Sequence, residues 1–350
     1  MGMKGFKGFE KDFSCRGKQY EENTTYEEHG VGCCHKGVMH FCEDPWEVLK
    51  HYDLVDGNGN FSEFAEVEAL GQVWNDGEKR ATNKIHVGAK LGLKGFLKAC
   101  IDFTLEKTKY ESNGTNLPGY SAKIGSSGYS AQIGSSGNSA QIGSSGDCAK
   151  IGSSGYCAQI GSSGDSAQIG SSGYSAQIGS SGDCAKIGSS GNSAQIGSSG
   201  NSAKIGSSGD CAKIGSSGDC AKIGSSGYSA KIGSSGYSAK IGSSGDCAQI
   251  GSSGDCAKIG SSGYCAQIGS SGDCTKINST GEDAVIMCAG RRSKAKGKKG
   301  SWITLAEWVK DEEKGRYVPI CVKTERVDGE KIKEDTYYTL KNGEFSEVEE

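Results

Sequence analysis

Two short stretches near the N-terminus hold metal-ligating residue types. Cys33, Cys34, His35, His40 and Cys42 offer sulfur and imidazole nitrogen, the donor set of zinc. Their spacing matches no paired C-x2-C module, and strand alternation already places His40 and Cys42 on one face. A core strand is the plainer account. Asp56-Gly57-Asn58-Gly59-Asn60 begins like a calcium-binding loop. The sixth position, which must be glycine, is Phe61, and the twelfth is Val67 instead of glutamate. A Gly/Asn hairpin loop suffices.

Arg16-Gly17 and Glu66-Val67-Glu68 resemble the strand arginine and the E-x-E of ADP-ribosyltransferases, with Glu68 as the residue to test. An S-T-S strand is missing, and about 110 residues is small for that fold. This enzyme head on a spacer is the alternative to a non-enzymatic reading.

The remaining candidates lie in eighteen nonapeptides between residues 120 and 281, written x-[S/C]-A-[K/Q]-I-G-S-S-G, where x is Tyr, Asp or Asn. Nonapeptide β-rolls bind calcium through acidic turns. Here only eight repeats carry Asp and no second acid joins it in the turn, whereas calcium wants six to eight oxygens. Six of those Asp have Lys three residues on, so local charge balance explains them. Nine repeat cysteines sit at the Ser-equivalent position and read as small substitutes for Ser. Ser126, Ser127 and their equivalents suggest an ice- or ligand-binding face, but Lys or Gln interrupts it and no T-x-T ladder exists.

Positions one to five of the phrase alternate. Ala122 and Ile124 share one face, and Ser121 and Lys123 the other, which is a strand with period two. GSSG supplies a turn. One such strand cannot bury itself, so identical strands must stack about 4.8 Å apart into a β-solenoid. With one large apolar residue per nine, a triangular interior would be hard to fill. The phrase DCAK recurs every 36 residues, at Asp147, Asp183, Asp219 and Asp255, a multiple of 18 but not of 27. The expected fold is therefore mainly β: a two-sheet parallel β-solenoid of 18 residues per coil and about nine coils, roughly 43 Å long.

That register sorts the variable position onto two edges. Tyr120, Tyr156, Tyr174, Tyr228 and Tyr264 lie on one; Asp147, Asp165, Asp183, Asp219, Asp255 and Asp273 lie on the other. These are the candidate binding edges. No catalytic residue, cofactor or metal is assigned.

An α+β head is expected over residues 1–110. Asp44-Pro45-Trp46-Glu47 reads as a helix start with Asp44 as N-cap, and FAEVEALGQVWN, residues 64–75, as a strand. Leu93, Phe96, Leu97, Cys100, Ile101 and Leu105 fall on one face of a helix near 93–108. It is expected to lie as a lid over the open end of the solenoid, which spans residues 120–290. Hairpin signals at Asp328-Gly329 and Asn342-Gly343 point to a β-rich module over 291–350. The basic run from Arg291 to Lys299 is a solvated loop, or the one segment suited to a phosphate polymer.

A net charge of -3 gives no bulk attraction to nucleic acid or anionic membrane. Eight Asp against ten Lys in the repeats exclude an acidic mimic of DNA. No apolar run approaches a membrane span, and MGMKGFKGFEKDF has no apolar signal core, so free thiols in a reducing interior are expected. KGFKGF, CRGKQY, HFCEDPWEVLKHY and FAEVEALG, with GSWITLAEWV near the end, resemble uncharacterised proteins encoded by phages and prophages. That resemblance implies a viral or mobile-element origin and brings no activity. The expectation is a rigid repetitive rod in the host cytoplasm or on a virion. Its partner would be a protein or host factor, with self-association open.

Overall fold

The computed structural model describes residues 2–32, 37–56, 60–77, 79–107, 115–116 and 121–349. Each nonapeptide forms one four-residue strand, from Lys123–Ser126 to Lys276–Ser279. Every strand pairs in parallel with the strand eighteen residues later, like against like: Ile124 with Ile142, Ser126 with Ser144. Successive nonapeptides therefore alternate between two sheets, and the protein is a two-sheet β-solenoid with 18 residues per coil.

The strand is K/Q-I-G-S, not the first five positions of the phrase. Ile and the first Ser point inward with Ala and are buried, as at Ile142, Ser144 and Ala140; Lys or Gln and the Gly point outward. The turn is S-G-x-[S/C]. In most repeats its left-handed residue is the Ser or Cys, with φ of 57° at Ser130 and 56° at Cys148 and Cys220, though not at Ser139, Cys157 or Ser175. That conformation is costly away from glycine. It is held because the N–H of Cys148 donates to the carbonyl of Asp165 in the next coil at 2.8 Å. The phrase-final glycine is fixed for a different reason. A Cβ on Gly146 would stand 2.0 Å from the carbonyl oxygen of Gly128, one coil back.

The array continues past Gly281. Val285–Cys288 and Trp302–Asp311 extend one sheet in parallel, and Lys294–Lys296 extends the other. Then the direction reverses. Arg316–Arg326 pairs antiparallel with Trp302–Asp311, and Tyr337–Lys341 pairs with Lys294–Lys296 and Glu344–Val348. Two hairpins thus close the last coil, with Leu305, Val327, Ile332 and Tyr338 completing its core.

The head is a four-stranded antiparallel sheet in the order Met3–Phe9, Glu63–Ala69, Lys84–Lys90, Thr24–Glu27. One face packs on Phe13, Tyr20, Met39 and Phe41. The other packs on α1 (Pro45–Val48) and α2 (Gly92–Lys107), with Phe64 stacked on Phe96 at 3.8 Å. Asp44 caps α1 as expected, accepting the Trp46 N–H at 2.9 Å. The stretch read as one strand is two, Glu63–Ala69 and Val73–Asp76.

α2 is a helix where expected, but it is no lid over the end. It lies flat along the outside of one sheet, against Lys150–Ser153, Gln168–Ser171, Lys186–Ser189 and Lys204–Ser207. The cause is the outward glycine row, which leaves a smooth channel for an apolar helix face. We call this sheet covered and the other open.

Candidate binding surfaces

Along each sheet the outward Gly row forms a trough floor and the Lys/Gln row one bank. On the covered sheet the trough is filled. Ile101 lies against Gly170 and Gly188, Leu97 against Gly206, Leu93 against Gly224, and Val55 and Phe61 against Gly242. Trp46 adds its ring edge, 3.0 Å from where a Cβ on Gly188 would stand; its Nε1 donates to Thr104 Oγ1 at 2.8 Å. Only glycine lets these side chains come so close.

The bank binds the same element. Lys150 Nζ lies 3.4 Å from Asp44, Lys186 donates to the Trp46 carbonyl at 3.0 Å, and Lys204 donates to the Leu49 carbonyl. Lys222 and Lys240 converge on Asp53. Burial, with Lys222 and Lys186 alongside, lowers the Lys204 ammonium to about 8. Burial likewise lowers Lys186.

The open sheet presents the same trough with nothing in it among the described residues. A Cβ at Gly125, Gly143, Gly161, Gly179, Gly197, Gly215, Gly233 or Gly251 would meet no atom within 4 Å. Its bank is mainly Gln: Gln141, Gln159, Gln177, Gln195, Gln249 and Gln267, with Lys only at 123, 213 and 231. The covered bank has Lys at seven of nine positions, all but Gln132 and Gln168. At its far end the open trough runs into Val285, Met287 and Trp302, about half exposed, beside Val322 at 62%.

The two residue types behave differently, on both edges alike. Tyr156, Tyr174, Tyr228 and Tyr264 project into solvent, and the rings of Tyr156 and Tyr174 stack at 5.1 Å. Tyr120 lies outside the described residues. The Asp side chains are occupied by the backbone. Asp147 accepts the N–H of Asp165, Asp165 that of Asp183, Asp183 that of Asn201, Asp219 that of Tyr237, Asp255 that of Asp273 and Asp273 that of Arg291, all at 2.7–2.9 Å. Each carboxylate thus ties one coil to the next. The charge-balance account assigned the wrong partner, because Lys three residues on stands on the flat face while Asp stands at the corner. The Ser126-type row is turned inward, with Ser144 and Ser162 buried, whereas its Ser127-type neighbours Ser145 and Ser163 are exposed.

The basic run is tied down internally. Arg291 pairs with Asp273 and lies 4.3 Å from the Tyr317 ring, Lys296 lies 4.7 Å from the Tyr337 ring, and Lys298 pairs with Asp335 at 2.6 Å. In the head, Arg16 and the E-x-E are not brought together. Arg16 lines a cleft with Lys7 and Tyr52, while Glu66 and Glu68 line a separate hollow with His86 and Asp102. Cys33, Cys34 and His35 lie outside the described residues. Met39–Phe41 is a strand with Met39 and Phe41 buried, and Asp56 accepts the Asn60 N–H at 2.8 Å beside the Val55–Phe61 bridge. Among the described residues no cluster of three or more His, Cys, Asp or Glu could hold a metal. The repeat thiols described are free, including Cys247, Cys265, Cys256 and Cys274. No helix among the described residues is long and apolar enough to cross a membrane.

Residues 3–99 match the model of a domain of unknown function, DUF7666, which takes in the head sheet, α1 and the first half of α2. No curated protein and no solved structure matches the chain.

Proposed function

We propose that the protein is a non-enzymatic scaffold of phage or mobile-element origin, and that the open face of its rod binds a protein partner in the host cytoplasm or on a virion. The observation that carries this reading is the asymmetry between two faces built from one phrase. The face that holds the head has a Lys bank meeting acids and carbonyls. The other keeps the same channel and an exposed apolar shelf, with the Lys largely replaced by Gln. Amides form hydrogen bonds to a partner without requiring a counter-charge. The head then acts as a brace that stiffens the rod and commits one face.

Nothing favours the enzyme alternative, since Arg16 and Glu68 occupy separate hollows. An ice-binding face is disfavoured because the head occupies one flat face and a row of long Gln and Lys side chains lines the other.

The test fills the open channel without touching the head. Gly197→Arg with Gly215→Arg projects two long side chains from the trough floor. A host protein that crosslinks to the open face of the wild-type rod should be lost by this variant at unchanged melting temperature. Equal capture by both proteins sinks the reading.

A further inference from the structure

The head contains a cleft of about 650 Å³ that the rod does not use. Its floor is Lys7, on the strand Met3–Phe9 and only 5% exposed. Lys7 Nζ donates to Cys15 Sγ at 3.2 Å and to the His40 carbonyl at 3.1 Å. It lies 5.4 and 5.5 Å from the ring centroids of Phe9 and Tyr20. Tyr52 Oη donates to the same sulfur at 2.8 Å. No carboxylate among the described residues pairs with Lys7; its burial holds the ammonium below its ordinary pKa, partly offset by the Cys15 sulfur, with Arg16 adding repulsion. A buried charge without a counter-charge is costly to keep.

Arg16 stands at the mouth of the cleft. It is exposed, has a left-handed φ of 52°, and makes no hydrogen bond or ion pair with any described residue. Lys18, Lys50 and Lys79 also line the cleft, whereas Glu28 is the one carboxylate among the described lining residues and pairs with Lys18. Phe6 and Val38 give it an apolar wall. Two neighbouring cations with no carboxylate between them among the described residues, one sealed at the floor and one idle at the rim, form half of an anion site. A guanidinium fork matches phosphate oxygens in pairs, and an ammonium serves as a point charge.

We propose that this cleft binds a phosphate monoester with a small apolar body, its phosphate held by Lys7 and Arg16 and its body against Phe6 and Val38. The site lies apart from the open face of the rod and does not depend on the binding role assigned there.

Calorimetric titration of the full chain with phenyl phosphate, inorganic phosphate and phenol tests it. Phenyl phosphate should bind saturably and raise the melting temperature, inorganic phosphate should bind more weakly, and phenol should not saturate. Arg16→Gln, a surface change, should weaken phenyl phosphate about tenfold, and Lys7→Met should abolish binding while the fold, checked by circular dichroism, persists. No saturable binding to the wild type overturns the proposal, as does equal binding by wild type and Arg16→Gln. Equal affinity for inorganic and phenyl phosphate overturns the apolar-body part.

Discussion

Leu97 occupies the space in which a side chain on Gly206 would begin: a Cβ there would stand 2.4 Å from the Leu97 Cδ2. Gly215, on the opposite sheet half a coil on, faces open space. Gly206→Ala should therefore weaken head docking by about 1–3 kcal/mol through overpacking, read as faster amide exchange in α2. Gly215→Ala should stay within about 0.5 kcal/mol of wild type. Equal effects at the two positions would show that α2 does not sit in the covered trough.

Head docking should also respond to alkaline pH. Lys204 titrates near 8 when docked, against 10.5 for a free lysine. Between those values the docked state holds fewer protons than the undocked one, so docking strengthens as pH rises through this window. Below about 8 the full penalty of burying the ammonium remains. The groups around it are Lys186, Lys222, Asp53 and Cys184. Exchange protection of α2 should rise from pH 7.5 to 9.5 in wild type, and Lys204→Met should flatten that rise.

The Asp corner is a structural clamp. Asp183→Ala leaves the Asn201 N–H without its side-chain acceptor and should cost about 1 kcal/mol in chemical denaturation. Asp183→Asn should be close to neutral, because Asn192 and Asn201 already make the same bond to Asp210 and Asp219. A loss in Asp183→Asn as large as in Asp183→Ala would mean that charge, not the hydrogen bond, matters there.

The inward Ser row carries a cost that can be removed. Ser180 is buried and its hydroxyl has no hydrogen-bond partner among the described residues. Ser180→Ala removes an unsatisfied polar group and should raise stability by about 1 kcal/mol. A drop in melting temperature would show that the hydroxyl is satisfied.

Much of the rod was legible because its physics is repetitive. One Ile per nine residues and the recurrence of DCAK at Asp147, Asp183, Asp219 and Asp255 are enough for an 18-residue coil. The glycine before the two serines was harder, because a glycine in GSSG looks like a turn residue whichever job it has. Its real place, in the strand and facing out, makes the trough. The covered face had a signal that parity alone reveals: Lys clusters in alternate repeats at 186, 204, 222, 240, 258 and 276, while Gln holds 141, 159, 177 and 195 in the others. The Lys7 cleft left no such trace. Lys7, Cys15 and Tyr52 come from three separate segments, and no spacing between them says that they meet.

The fit between α2 and the glycine row works like a vernier. The helix offers a contact every four residues, about 6.0 Å, whereas the rungs recur about every 4.8 Å. Leu93 and Leu97 lie against the glycines of successive rungs, but Ile101 has drifted until it straddles Gly170 and Gly188. Two scales of unequal pitch stay in step for only a few divisions. A straight helix can therefore grip only a short length of this rod, and at Gly242 a different part of the head, Val55 and Phe61, makes the contact. Lengthening the rod by whole coils would add free surface without lengthening the grip.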